Sequence, residues 1–383
     1  MIMELFDSEF IKSLPGIDKF SNPYVVFLCK SKDPRVINLR SQIENWFQNL
    51  SVDSQKEMFP KLRSLDDVQH LPAFYELVFN QYALEEDWKV TKDPDIQGQH
   101  PDFLINYRGD SPFYLEVATI FKEKKLEKEE EKFNKLLRKI DQLDTLFFIS
   151  VHLEKWLGED VNYAKIVLFI KKWLGSLRFV PDKIHRIELN EFGFEGNFNA
   201  SHRKGGEKKF GCVGSWMPPV RSGSWYTKEI REILANKRKK YKFLKRDCIP
   251  FVIALCSGGD FFFDQLSLEW ALYGQEQIVV RGVNTSEPRT EFRRAFDGLI
   301  TPKPALGIPR NTRISAVLFC EREWGLKGEQ MLYNMKVYHN PWAVNPLDAE
   351  VFKKLPQFVK AKEDEMGITM GWINNKKQLI FFR

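Results

Sequence analysis

Cysteine and histidine are both scarce. The 383-residue chain holds five cysteines (Cys29, Cys212, Cys248, Cys256, Cys320), none in C-x-x-C spacing, and six dispersed histidines. That scarcity excludes a disulfide framework and a Cys/His zinc site, and it predicts reduced core thiols in a cytoplasmic protein. No run of eighteen apolar residues occurs, which excludes a membrane-spanning helix. The segment Met1 to Asp7 lacks the basic start and apolar core of a signal peptide. A nucleophile elbow, a Walker loop and a dinucleotide fingerprint are also missing, so phosphate cradling by a glycine-rich loop is not the route here. Internal repeats and low-complexity linkers are absent too. What remains is an ordinary folded chain, 43% hydrophobic, 14% aromatic and 29% charged. Its length suits two domains or one large α/β domain.

The most informative feature is a set of three acids spread over a predicted helix and two strands. Leu71-Pro-Ala-Phe-Tyr-Glu76-Leu-Val-Phe reads as a helix with Pro72 at its first position and Glu76 at the edge of an apolar stripe. Trp88-Lys-Val, His100-Pro-Asp102-Phe-Leu-Ile-Asn-Tyr and Phe113-Tyr-Leu-Glu116-Val-Ala-Thr read as three strands. Arg108-Gly109-Asp110-Ser111-Pro112 supplies the turn between the last two. Pairing Tyr107 with Phe113 sets Asp102 opposite Ala118 and Leu104 opposite Glu116. The two acids then share a face as diagonal neighbours about 7–8 Å apart. Carboxylates this close repel, so at least one is expected to hold its proton unusually tightly.

This arrangement resembles the PD-(D/E)XK nuclease superfamily, the restriction-endonuclease-like proteins, over residues 65–155, and in its long α/β tail it resembles bacterial members. The resemblance implies an α/β fold: a restriction-endonuclease-like core of order α-β-β-β-α-β around a mixed sheet. The core is expected at 63–155, with the helix at 121–139 as crossover and Thr145 to Val151 as the last strand. A helical segment at 1–62 precedes it. An α/β extension at 156–383 follows, packed on or extending the same sheet. The family's metal ligands fall on Asp102 and Glu116, with Glu76 completing the site, and the metal is Mg2+ or Mn2+. The family's lysine, two residues after the second acid, is Ala118 here. Lys89, Lys122 or a lysine from the second half are the candidate replacements.

A basic stretch, Lys237, Arg238, Lys239, Lys240 and Lys242, ends a predicted helix that begins near Tyr226. It reads either as a solvated helix face or as a contact for a phosphate backbone. The implied function is a metal-dependent nuclease hydrolysing phosphodiester bonds of DNA, with a role against foreign DNA. The alternative is a degenerate nuclease fold that serves as a nucleic-acid-binding or scaffolding module. The partners expected are nucleic acid, and either a protein of a defence system or a second copy of the chain.

Overall fold

The computed structural model describes residues 3–380 other than 110, 179, 181, 204–208, 220–224, 242–247, 259–264, 282, 284–288, 303–307, 324–331, 365–366 and 375–378. Five helices come first: α1 (Ser8–Ser13), α2 (Tyr24–Lys30), α3 (Pro34–Gln48), α4 (Val52–Leu62) and α5 (Asp67–Glu85). Strands β1 (Lys89–Lys92), β2 (Phe103–Tyr107) and β3 (Ser111–Ile120) follow. Next come α6 (Lys124–Asp141), β4 (Phe147–Leu153), α7 (Tyr163–Ser176), β5 (Ile184–Leu189), β6 (Gly196–His202) and β7 (Val213–Met217). Then α8 (Trp225–Lys240), β8 (Phe251–Ser257), α9 (Gln265–Tyr273), β9 (Glu276–Arg281) and β10 (Arg289–Arg294) lead into the closing strands. These are β11 (Ala316–Glu323), β12 (Leu332–His339), β13 (Gln357–Asp364), β14 (Gly367–Ile373) and β15 (Leu379–Ile380).

The chain divides into two compact units. The main unit comprises Met1–Ile17, Pro23–Phe121 and Gly223–Arg383, and the inserted unit comprises Asp18–Asn22 and Lys122–Ser222. In the main unit one mixed sheet runs β1-β2-β3-β8-β11-β12-β13-β14, with β15 on β12. The first three strands are an antiparallel meander, while β3, β8 and β11 are mutually parallel. Helices α2, α3 and α5 supply the core on one face, where Leu115, Val117, Val252 and Ala254 point. Ile230 and Leu234 of α8 and Leu268 of α9 cover the other face, toward which Tyr114, Ala118, Ile253 and Leu255 point.

The expected core boundary at 155 is therefore corrected. In the main sheet β3 is joined by β8, which follows α8, and the inserted unit lies in the chain between β3 and α8. Residues 147–153 belong to a separate four-stranded sheet, β5-β6-β4-β7. The reason is legible in the side chains. β4 (Phe-Phe-Ile-Ser-Val-His-Leu) alternates buried and wetter positions, so it needs one open face. β8 (Phe-Val-Ile-Ala-Leu-Cys-Ser) is buried throughout, as a strand covered on both faces must be. α6 is not the crossover either. Its buried Phe133, Leu136, Leu137 and Ile140 share a core with Ile149 and Val151 of β4 in the inserted unit.

Three further differences have local causes. After β2, Arg108 and Gly109 are left-handed (φ 51° and 74°), and Tyr107 pairs with Ser111 instead of Phe113. Pro72 lies inside α5. The helix starts earlier because the Asp66 carboxylate accepts the Val68 N–H at 3.0 Å and caps it. The aromatic C-terminal sequence is regular strand. Tyr338, Phe358 and Trp372 occupy facing positions on β12, β13 and β14, and their ring centroids lie 5.2–6.2 Å apart. Residues 1–62 hold helices α1 to α4, and β8 and β11 to β14 belong to the same sheet as β3, whereas residues 156–222 of the expected extension lie in the inserted unit with its own sheet.

Leu234 is wholly buried between α8 and the sheet. Leu234→Ala is expected to destabilise the main unit by about 2–5 kcal/mol, read as a lower denaturant midpoint. A change under about 0.5 kcal/mol, the scale of a surface site, would show that α8 does not pack as described.

Candidate active site

The turn sets the register that assembles the site. Phe103 pairs with Leu115, so the next position places Asp102 directly opposite Glu116 on adjacent antiparallel strands. This is the expected pairing slipped by two residues, which keeps both acids on the same face because side chains alternate with period two. The backbone locks the two together. Asp102 Oδ2 accepts the Val117 N–H at 2.6 Å, and Glu116 Oε2 accepts the Asp102 N–H at 3.3 Å. Glu116 is only 1% exposed.

Helix α8 brings the countercharge. Ile230, Leu234, Lys237 and Tyr241 recur at spacings of four, three and four, which is one face of a helix. The first two bury in the core and the last two reach the acids. Lys237 Nζ donates to Glu116 Oε1 at 2.7 Å and to the Val117 carbonyl at 2.9 Å. The Tyr241 hydroxyl donates to Glu116 Oε2 at 2.6 Å and lies 3.0 Å from the His100 carbonyl. Burial, then that hydrogen bond, pushes the Tyr241 phenol well up, so it remains a donor. Lys240 Nζ stands 3.7 Å from Glu116 Oε1.

Glu76 does not join the pair as a third ligand. From α5 it pairs with Lys92 of β1 at 3.6 Å, and the same ammonium lies 2.9 Å from Glu57 and 3.5 Å from Asp93. Burial raises the Glu76 carboxyl, and Lys92 opposes that rise. Lys89 is also displaced from its expected role. It is exposed and pairs with Asn106, three residues along β1 from Lys92, which faces Phe103 beside Asp102. Lys122 belongs to the inserted unit and is tied to Glu130 at 2.9 and 3.0 Å.

The basic helix end is divided in the same way. Lys237 reaches Glu116 while still part-exposed, Arg238 is part-buried, and Lys239 and Lys240 are exposed. Lys242 lies outside the described residues. Lys237 was expected either on a solvated helix face or against a phosphate backbone, and neither Lys92 nor the hydroxyl of Tyr241 was expected at the acids. The 230-234-237-241 spacing was the available signal, because it puts Lys237 on the apolar side of its helix.

Asp102 binds its proton far more tightly than an ordinary aspartate, up to about 8. Burial is the largest cause, followed by the charges of Glu116 and Glu76, while Lys237 and the Val117 N–H pull the other way. Lys237 and Lys240 both lie against Glu116, and their charge does not cancel the rise at Asp102. The donors of the site are hard oxygens, the carboxylates of Asp102 and Glu116 and the Val117 carbonyl, which suit Mg2+ or Mn2+. The Lys237 ammonium already shows that the gap between Glu116 Oε1 and the Val117 carbonyl accepts a cation. Among the described residues no group of three or more His, Cys, Asp or Glu converges on one point. Water and phosphate oxygens would have to complete the coordination, as Mg2+ commonly requires.

The sign of the pH dependence follows from Asp102. Its proton is held more tightly in the folded than in the unfolded chain. Its stabilisation is therefore present below about pH 4 and lost as pH rises through about 8. In buffer free of divalent ions, wild type is expected to lose at least ~3 °C more of its melting temperature than Asp102→Asn between about pH 5 and pH 9. Parallel pH slopes in thermal melts would contradict the buried pair. Comparison of the chain with protein-family models, with curated proteins and with solved structures finds no match to any of them.

Proposed function

We propose that the chain is a metal-dependent nuclease that hydrolyses phosphodiester bonds of DNA, with Asp102 and Glu116 as the metal-holding acids. One observation carries the reading: two carboxylates face each other across adjacent strands, with the ammonium groups of Lys237 and Lys240 both on Glu116 and Asp102 left holding its proton tightly. The ion pairs of Lys237 and Lys240 are both made with Glu116. Asp102 adds a buried negative charge beyond them, which a divalent cation would offset.

Bound there, a divalent ion supplies a polarised phosphate and an acidified water. The remaining work belongs to the chain. Tyr241 fixes one oxygen of Glu116, and the Val117 N–H fixes one oxygen of Asp102, so both acids are oriented before substrate arrives. Lys237 supplies the ammonium that the sequence lacks at residue 118. It stands beside the acids, where it can neutralise charge developing on phosphate oxygens. Lys92 pairs with Glu76 and limits the local negative charge. A role against foreign DNA rests on the family resemblance alone.

The second reading, a nuclease fold without the chemistry, is favoured by one observation. Lys237 and Tyr241 between them engage both oxygens of Glu116. In that case the site is a buried ion pair that fixes α8 on the sheet.

Cleavage of plasmid and single-stranded DNA separates the two. Wild type with millimolar Mg2+ or Mn2+ is expected to cut, and Asp102→Ala and Glu116→Ala to lose the activity. Lys237→Ala is expected to lose about 100-fold or more, whereas Lys89→Ala and Lys122→Ala stay near wild type. Cleavage retained in Asp102→Ala, or absent from wild type with either metal, would overturn the nuclease reading.

A further inference from the structure

Two arginines of the main unit meet with no acid between them. Arg238 lies on α8, and Arg313 stands just before β11. On α8 the buried stripe is Ile230, Leu234 and Tyr241, with Lys237 along one border. Arg238, four residues past Leu234, lies along the opposite border, and Lys239 falls on the exposed outer side. Arg313 reaches the same end of the sheet by another route. The Phe251 N–H at the start of β8 donates to Ser315 Oγ, and the Ser315 N–H donates to the Phe251 carbonyl, each at 2.8 Å. The Tyr241 ring packs on that same Phe251, with centroids 5.3 Å apart, and Ile314 shares a core with Leu234. Both arginines are half-buried.

The pair is uncompensated. Among the described residues neither side chain makes a hydrogen bond or an ion pair, and the Arg238 Nε is buried without an acceptor. Burial, then the charge of Arg313, pushes the Arg238 pKa down from its ordinary value, and no carboxylate opposes them. Other arginines in this part of the chain are matched. Arg231 pairs with Asp297 and Arg294 with Glu276, each at 3.0 Å, and Arg310 donates to the carbonyls of Thr301 and Gly298.

The cost of this arrangement identifies what relieves it. A charged N–H shut away from water without an acceptor is destabilising, and a second guanidinium beside it adds repulsion. The C-terminal end of α8 offers only about half a negative charge, too little for both. An oxyanion supplies the acceptor and the countercharge together. Guanidinium forks match phosphate oxygens, and two of them match the charge of about −1.5 to −2 that a phosphate monoester carries near pH 7. A peptide carboxylate brings one negative charge and leaves the second arginine unmatched.

We infer that Arg238 and Arg313 together bind a phosphate group, supplied either by a small phosphate dianion or by a DNA backbone. The inference stands without the nuclease reading, since it uses neither Asp102 nor Glu116.

The test uses the full chain in EDTA, so that no divalent ion holds phosphate at the acids. Thermal melts compare about 20 mM inorganic phosphate with sodium chloride of equal ionic strength. Phosphate is expected to raise the melting temperature of wild type by about 2 °C or more. Arg238→Gln and Arg313→Gln are each expected to lose most of that rise, and either serves if the other misfolds. Lys239→Gln, which removes an exposed charge from the same helix, is expected to respond like wild type. That control separates a site from the general stabilising effect of phosphate salts. A second arm reads fluorescence anisotropy of a labelled DNA duplex of about 12 base pairs with hydroxyl ends. An arginine-dependent response to inorganic phosphate assigns the small dianion. Duplex affinity that falls about tenfold in the arginine variants, without that response, assigns the backbone. The inference is overturned if neither ligand distinguishes the arginine variants from wild type, or if Lys239→Gln loses as much as they do.

Discussion

Glu116 sits on a strand flanked on both sides, in a sheet covered on both faces, where an uncompensated carboxylate would cost several kcal/mol. Its neutralisation dictates much of what surrounds it. Lys237 has to lie on the inner side of α8, and Tyr241 has to follow one turn later at the mouth of the same groove. Asp102, held by the Val117 N–H, adds negative charge at the place where the fold can least accommodate it. A strand lysine at 118 would have pointed at the same helix, but Ala118 is buried beneath it with Ile230 and Leu234. A small residue there lets α8 approach closely enough for its own lysine to reach the acid.

The sequence exposes the three acids, the hairpin and their common face because those depend on short-range rules. Alternation along a strand and a Gly-containing turn decide them within fifteen residues. The pairing differs by two residues from the expected one, since β3 begins at Ser111, inside the turn-forming sequence. Which helix follows β3 in space was illegible for a different reason. A nearby amphipathic helix satisfies the local pattern equally well, and nothing before Gly223 announces that the chain returns to the first sheet. The contrast between alternating β4 and uniformly apolar β8 was in the sequence all along. It becomes decisive only when one asks which strand could be covered on both faces.

The cations were harder to read than the acids. Lys237 sits in a run of basic residues that looks like a solvated helix end, and only its spacing from Ile230 and Leu234 marks it as inward-facing. Lys89 and Lys92 illustrate the same point on β1, where three residues of strand, roughly 10 Å, separate an exposed lysine from one that pairs with Glu57, Glu76 and Asp93. Charge in a sequence is easily counted. Its direction is a tertiary property.

The insertion between β3 and α8 has a consequence for how the site is made. Glu116 and Lys237 are 121 residues apart in the chain, yet their contact closes a loop most of which is a compact body with its own core. Once that body folds, the loop that α8 must close behaves as a short tether. If it unfolds, the tether becomes a coil of about a hundred residues, and ring closure costs roughly 2 kcal/mol more. The order of assembly is thereby biased, with the inserted body forming first and the acid–lysine contact forming late. Lesions in the insertion, far along the chain from either residue, are transmitted to that contact through chain entropy alone.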